Sequence, residues 1–249
     1  MFNLYENTAV VVGGSGDLGS SIVEAFIEYG CKKVAVIDIK TPSTVSSGSF
    51  ADDKITYLKC DISDPSECDL RFKEAIELLS GRLDILVHCA GIQRRCRSDH
   101  FDNEMWNEVI KVNLDSVFLF TRFASSIMID QGYGKIINVG SINGNFGGVT
   151  IPAYSASKGA VEQLAKSFCN DLAKFGININ TISPGYFDTE LNTGLISDPS
   201  RVQEVISRIP QGRWGNPEDI KGLSVFLASR ASDYINGANI VIDGGYSGR

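Results

Sequence analysis

Apolar positions along the chain fall into two kinds of run that take turns. Short β-branched stretches sit at Thr8 to Val12, Lys33 to Ile37, Ile55 to Cys60, Leu83 to Val87, Lys135 to Val139, Ile177 to Ile182 and Ala238 to Ile242, each of strand length. Helical spacing fills the intervals. Ile22, Val23, Phe26 and Ile27 form one stripe that stops at Gly30, and Asp64-Pro65 opens a helix carrying Cys68, Phe72, Ala75, Ile76 and Leu79. A long helical pattern lies within Phe101 to Asp130, another starts at Pro152 and continues through Val161, Leu164, Ala165 and Phe168, and a last one runs from Pro217 to Ala228. Residues 39 to 54 are rich in Ser and Thr and lack helical periodicity, so the crossover there is expected to be mostly loop. The alternation predicts an α/β fold: a doubly wound parallel sheet of about seven strands with helices on both faces, as a single domain over residues 1–249.

Sheets of this kind bind ligands outside the carboxyl ends of their strands, which makes the residues just after each strand the candidates for chemistry. The first strand is followed at once by Gly13-Gly14-Ser15-Gly16-Asp17-Leu18-Gly19 and then a helix. Glycines there let the backbone approach a pyrophosphate, and the helix N-terminus points free N–H groups at it. Gly14, Gly16 and Gly19 fit G-x-G-x-x-G; Gly13 and Gly19 fit the ends of G-x-x-x-G-x-G. Asp38 ends the second strand, where a carboxylate can bond the adenosine ribose hydroxyls and repel a 2′-phosphate, favouring NAD over NADP. A solvated aspartate at a strand end is the other reading. Asp61-Ile62, after the third strand, could touch an adenine. Cys89-Ala90-Gly91 follow the fourth, with Gly91 allowing a flat ligand close to the backbone. Asn113, between Val112 and Leu114, is a buried amide that needs partners, as a structural bridge or as part of a proton path. Pro184-Gly185 follow the sixth strand, and the polar residues 186–212 beyond them suit a lid over a site.

One segment, Ser141 to Lys158, concentrates the acid–base chemistry. A Gly- and Asn-rich loop leaves the strand Lys135–Val139, and the helix opened by Pro152 places Tyr154 and Lys158 four residues apart on one face. A phenol with an ordinary pKa near 10 trades protons poorly at neutral pH; a neighbouring ammonium is expected to lower it. Ser141 can donate to an oxygen held by the tyrosine. The same Tyr-Lys spacing on a solvated helix face would mean nothing, so the weight lies in the strand-end residues that surround it.

Composition narrows the classes. A net charge of −7 argues against a general nucleic-acid surface, and no uninterrupted apolar run reaches the roughly 20 residues of a membrane helix. The first residues, Met1-Phe2-Asn3-Leu4-Tyr5-Glu6, lack the basic and apolar regions of a signal peptide. The six cysteines have no C-x-x-C spacing and only His88 and His100 beside them, which argues against a metal site and for reduced thiols. The expectation is a cytoplasmic protein with a small-molecule substrate.

These residues together resemble the classical short-chain dehydrogenase/reductase family over essentially the whole chain. The likeness rests on the glycine loop, Asp61, Ala90-Gly91, Asn113, Ser141 with Tyr154 thirteen residues on, Lys158, and Pro184-Gly185 with Thr189. It implies a Rossmann-like fold and a catalytic tetrad. In it Tyr154 is the general acid/base and Ser141 positions the substrate oxygen; Lys158 tunes the tyrosine and binds the nicotinamide ribose, and Asn113 holds a water leading to solvent. It implies cofactor contacts from Gly13, Ser15, Asp17, Leu18, Gly19, Asp38, Asp61, Ile62, Cys89, Ala90, Gly91, Tyr154, Lys158, Pro184, Gly185, Phe187 and Thr189, the last to the carboxamide. It also implies a homotetramer, through a C-terminal stretch that packs across subunits. Val12, Asp17 and Cys89 depart from the family's usual threonine, glycine and asparagine. Asp17 could cap the helix that follows, and a carboxylate beside a pyrophosphate is unfavourable unless it points away.

A narrower resemblance, carried by Gly91-Ile92-Gln93-Arg94-Arg95, Pro184-Gly185-Tyr186-Phe187 and Arg213-Trp214-Gly215, is to gluconate 5-dehydrogenases and 2-deoxygluconate 3-dehydrogenases. It implies an NAD-dependent oxidoreductase acting on a secondary alcohol of a sugar acid, with Arg94 or Arg95 anchoring the carboxylate. Arginines paired with acidic groups at a subunit contact are the competing reading. Two other functions fit the same motifs: a 3-oxoacyl-thioester reductase, and a dinucleotide-binding sensor without turnover.

Overall fold

The computed structural model describes residues 2–41, 53–196 and 198–248. Seven strands, β1 (Thr8–Val12), β2 (Lys33–Asp38), β3 (Ile55–Lys59), β4 (Ile85–His88), β5 (Gly134–Val139), β6 (Ile177–Pro184) and β7 (Asn239–Ile242), form one sheet in the order β3-β2-β1-β4-β5-β6-β7. Every neighbouring pair is parallel. The chain winds outward from β1 in one direction to β3 and in the other to β7, so the switch point, and the crevice it opens, lies between β1 and β4. The loop expected over residues 39–54 falls largely outside the described residues.

Strand side chains alternate between two cores. Val10 and Val12 of β1 pack with Phe72, Phe120 and Met128 on one side. Ala9 and Val11 pack with Ile22, Phe26 and Val225 on the other. The first side is covered by α2 (Pro65–Leu78), α4 (Ser116–Gln131) and α6 (Pro152–Leu172), the second by α1 (Asp17–Glu28) and α9 (Lys221–Ala228). Burial on both faces is why the strands read as apolar runs.

The long helical pattern of the sequence is α3 (Asn103–Ile110), a π-helical turn (Lys111–Asp115) and α4, one continuous run of 29 residues. It is long and apolar enough to cross a membrane by those measures alone, yet Val109, Val117, Phe120, Ala124 and Met128 are buried in the protein's own core. The remaining helices are short: α5 (Asn143–Phe146), α7 (Thr193–Ile196) and α8 (Pro199–Arg208). The last two lie within the stretch expected as a lid, and Asp198 caps α8 through Ser200 and Arg201 N–H.

Candidate active site

Two hollows meet above the carboxyl ends of the strands. The larger, of about 720 Å³, runs along the glycine loop and is lined by Gly13, Asp17, Leu18, Gly19, Asp38, Asp61, Ile62, Ala90 and Arg94 among others. The smaller, of about 230 Å³, is lined by Ser141, Tyr154, Lys158, Pro184, Gly185 and Phe187. Cys89, Gly91, Arg95 and Thr189 face both. The sequence-predicted residues other than Ser15 and Asn113 therefore converge, with Pro184, Gly185 and Phe187 on the reaction side rather than along the dinucleotide cleft.

Geometry sorts the glycines. Gly13 has φ +80°, and a Cβ on it would lie 2.4 Å from the Ala90 nitrogen, so β1 and β4 approach closely only because it is bare. A Cβ on Gly19 would meet the Gly13 carbonyl oxygen at 2.1 Å, whereas one on Gly16 would meet it at 3.6 Å, an ordinary contact. Gly13 and Gly19 are thus hemmed in by backbone and Gly14 by side chains, a Cβ on it lying 2.8 Å from Val36 Cγ1; of the four only Gly16 has room. Asp38 braces the loop from β2: its Oδ2 accepts from Ser15 N at 2.9 Å and its Oδ1 from Lys40 N at 2.9 Å. On the far wall Asp61 Oδ1 accepts from Ser63 N and Oγ. A cleft of this size, ending on the N-terminus of α1 with its glycines forced by packing, fits a nicotinamide dinucleotide.

Asp17 does not cap α1. Gly16 holds the cap position with no side-chain bond, and the Asp17 carboxylate instead accepts from Glu190 N at 2.7 Å. As the first residue of the helix, Asp17 has its own N–H among the free ones and turns its side chain outward to the chain that follows Thr189. Glu190 in turn pairs with Lys40 Nζ at 2.5 Å.

Around the smaller hollow the groups are desolvated. Tyr154 is 8% and Lys158 4% exposed, and Lys158 Nζ donates to the Val139 carbonyl at 2.7 Å. Burial pushes the Lys158 ammonium down to about 8. The expected lowering of the Tyr154 pKa is reversed in this state. Burial pushes the phenol up, and a hydrogen bond from Ser141 and the charge of Arg95 offset only part of that. Lys158 Nζ stands over the Tyr154 ring, 5.8 Å from its centre, within cation–π range.

Asn113 lies in the π turn and is fully buried. Its Oδ1 accepts from Ile92 N at 2.8 Å, and its Nδ2 donates to Ile92 O and to Ser157 Oγ. It bridges the loop after β4 to α6, which is the structural alternative left open by the sequence, and it lines neither hollow. A Cβ on Gly91 would stand 3.4 Å from Lys158 Nζ and 3.5 Å from Asn113 Oδ1, so this glycine, the ammonium and the amide share one small space.

Arg94 lines the larger hollow but is paired within the protein. Its Nε donates to Glu108 Oε2 at 2.8 Å, and its Nη2 to the other oxygen, a bidentate pair that spends the guanidinium within the protein. Only Arg95 of the two lines the reaction hollow. Residues not singled out from sequence also line it: Arg201, Glu204 and Arg208 of α8, and Tyr246. Their spacing of three, four and seven on a helix capped by Asp198 was the available signal.

Buried acid–base groups at the mouth of a glycine-bounded dinucleotide cleft define an oxidoreductase of the nicotinamide-dependent class. Residues 14–247 match the family model described as enoyl-(acyl carrier protein) reductase, and the chain belongs to this family, the short-chain dehydrogenases/reductases. It is 40% identical over 250 residues to the 2-dehydro-3-deoxy-D-gluconate 5-dehydrogenase of Bacillus subtilis, covering 100% of this chain and 97% of that one. Identity to the gluconate 5-dehydrogenase of Gluconobacter oxydans is 34%, over 98% and 96% of the two chains. The crystal structure of a gluconate 5-dehydrogenase from Burkholderia cenocepacia, in complex with NADP and tartrate, superposes with TM-score 0.92 at 34% identity, covering 100% and 98%.

Proposed function

We propose that this protein is a dehydrogenase interconverting a secondary alcohol and a ketone on a sugar acid of the gluconate or deoxygluconate type. The observation that carries the reading is the charge of the reaction hollow. Among the described residues, Arg95, Arg201, Arg208 and Lys158 face it against Glu204 alone, in a protein of net charge −7. Such a cavity favours an anionic, hydroxylated substrate over an acyl chain.

Nicotinamide dinucleotide, held along Gly13–Gly19, Asp38 and Thr189, supplies hydride transfer when bound. The protein's part is proton chemistry and positioning. Ser141 Oγ and the Tyr154 hydroxyl, which line the reaction hollow together, hold the substrate oxygen. In alcohol oxidation the Tyr154 oxygen takes the hydroxyl proton as a phenolate, and in reduction it returns one. Lys158 stabilises that phenolate electrostatically, and Asn113 keeps the Ile92 loop in place beside it. Residues 186–212 act as a lid that excludes water once substrate is bound.

Asp38 supports NAD as the preferred cofactor, since a 2′-phosphate would meet its carboxylate. The NADP in the B. cenocepacia relative counts for the phosphorylated form, and Lys40, beside Asp38, is the cation able to meet it. A homotetramer belongs to the same proposal, supported by the family likeness of the C-terminal stretch. The test is an assay of 2-dehydro-3-deoxygluconate, gluconate and acetoacetyl thioesters with each cofactor, with mass measured in parallel by light scattering. Turnover of a sugar acid with NAD is the expected result; turnover of thioesters alone would overturn the substrate, and a higher kcat/KM with NADP the cofactor.

A further inference from the structure

The substrate's carboxylate has more than one arginine to choose from, and the fold distinguishes them. Helix α8 turns Arg201, Glu204, Val205 and Arg208 to the reaction hollow as a single stripe, with Val205 buried as its foot. The Arg208 guanidinium lies 4.5 Å over the Tyr246 ring, and Tyr246 packs on Tyr186 at 5.3 Å, which packs on Trp214 at 5.5 Å. This aromatic row holds the guanidinium by its face and leaves its N–H edges unused. Among the described residues Arg208 has no hydrogen-bond acceptor and no ion-pair partner, unlike Arg94, Arg97 and Arg213, which pair with Glu108, Asp99 and Asp219.

Arg95 is differently placed. Its charge reaches Tyr154, and its Nη2 donates to Gln93 Oε1 at 3.3 Å. In a sugar acid oxidised at carbon 5, the carboxyl carbon is four C–C bonds away, roughly 5 Å along an extended chain. The carboxylate therefore lies apart from the reacting carbon, and among the described residues the arginines that α8 turns to the same hollow are the ones with unused side-chain donors.

We propose that Arg208, fixed on Tyr246 and assisted by Arg201, is the specificity-determining anchor that binds the substrate carboxylate bidentately, with Glu204 accepting from a chain hydroxyl. The assignment rests on the sugar-acid reading of the site. It makes α8 a sensor of substrate charge: closing the lid and recognising the carboxylate are one event, because the anchor travels with the helix.

The experiment compares wild type, Arg208→Gln, Arg208→Lys and Arg95→Gln on the sugar acid and on its neutral amide. Arg208→Gln is expected to raise KM for the acid about tenfold or more, the worth of a charge-assisted pair, with kcat within about threefold and the amide's KM unchanged. Arg208→Lys should recover part of the loss, and Arg95→Gln should act on kcat and its pH profile instead. Equal KM values for the acid in wild type and Arg208→Gln, or equal losses on acid and amide, would overturn the anchor. A wild type inactive on every sugar acid would overturn the substrate reading and the anchor with it.

Discussion

The Asp17 carboxylate accepts a hydrogen bond from the backbone N–H of Glu190 at 2.7 Å, across 173 residues of chain. A residue that sits where the family has a glycine thus ties the glycine loop to the start of the proposed lid, and Lys40 holds the Glu190 side chain from beyond the end of β2. The bond is exposed and worth about 1 kcal/mol. Asp17→Ala is expected to speed hydrogen exchange at the Glu190 amide about fivefold without shifting global stability, while Asp17→Asn, which keeps an acceptor, should change it less. Exchange unaltered in both would show that the lid is held by other contacts.

Loss of the phenol should separate chemistry from binding. Tyr154→Phe is expected to lower alcohol oxidation by about 10³, within the range of general acid–base catalysis, while fluorescence titration shows reduced cofactor bound within about threefold of wild type. Retention of a tenth of the wild-type rate would place the proton acceptor elsewhere.

Lys158 predicts a pH signature in stability. Its folded pKa of about 8 lies below the ordinary 10.5, so between those values the unfolded chain binds the extra proton. Unfolding free energy therefore rises with pH across that window, by on the order of 3 kcal/mol in full, and the penalty is wholly present below it. Tyr154, pushed upward, works oppositely above pH 10. Denaturant titrations of the ligand-free protein should show the rise from pH 8 upward in wild type and its absence in Lys158→Met; a rise common to both would assign it to other groups.

The two glycine readings make opposite forecasts. Gly13→Ala must adopt φ +80° and drive a methyl against the Ala90 backbone, costing about 2 kcal/mol or more and several degrees of Tm. Gly16→Ala, at φ −80° with its nearest contact at 3.6 Å, should leave Tm within about 1 °C. Equal losses in a thermal melt would contradict this division.

Strand positions, the phosphate loop and the Tyr154–Lys158 pair were legible because each is a local matter of period, turn chemistry or i,i+4 spacing. What escaped depends on distant partners. Nothing near Asp17 announces Glu190, and nothing in Arg94-Arg95 says that Glu108, on α3, takes the first and leaves the second. The sign of the Tyr154 shift escaped for a related reason: an ammonium four residues away is visible in sequence, but the burial that outweighs it is a property of the assembled fold. Arg208 was passed over in a stretch read as lid, although the spacing of Arg201, Glu204 and Arg208 behind Asp198 already puts them on one side of a helix.

The π turn at Lys111–Asp115 has a consequence for how the chain tolerates change. A π turn carries one residue more than the α-helix around it, and each residue advances an α-helix by about 100°. The extra residue is therefore taken up within one turn, and the helices on either side keep their phase. Val109 of α3 holds its buried place against Ile151 and Tyr154 while Phe120 and Met128 of α4 hold theirs in the core, and the widened turn carries the amide of Asn113 to Ile92 and Ser157. Deleting a single residue there is expected to leave both flanks packed and to cost the Asn113 bridge, so the turn is a local bulge that one helix can gain or lose without re-aiming its ends.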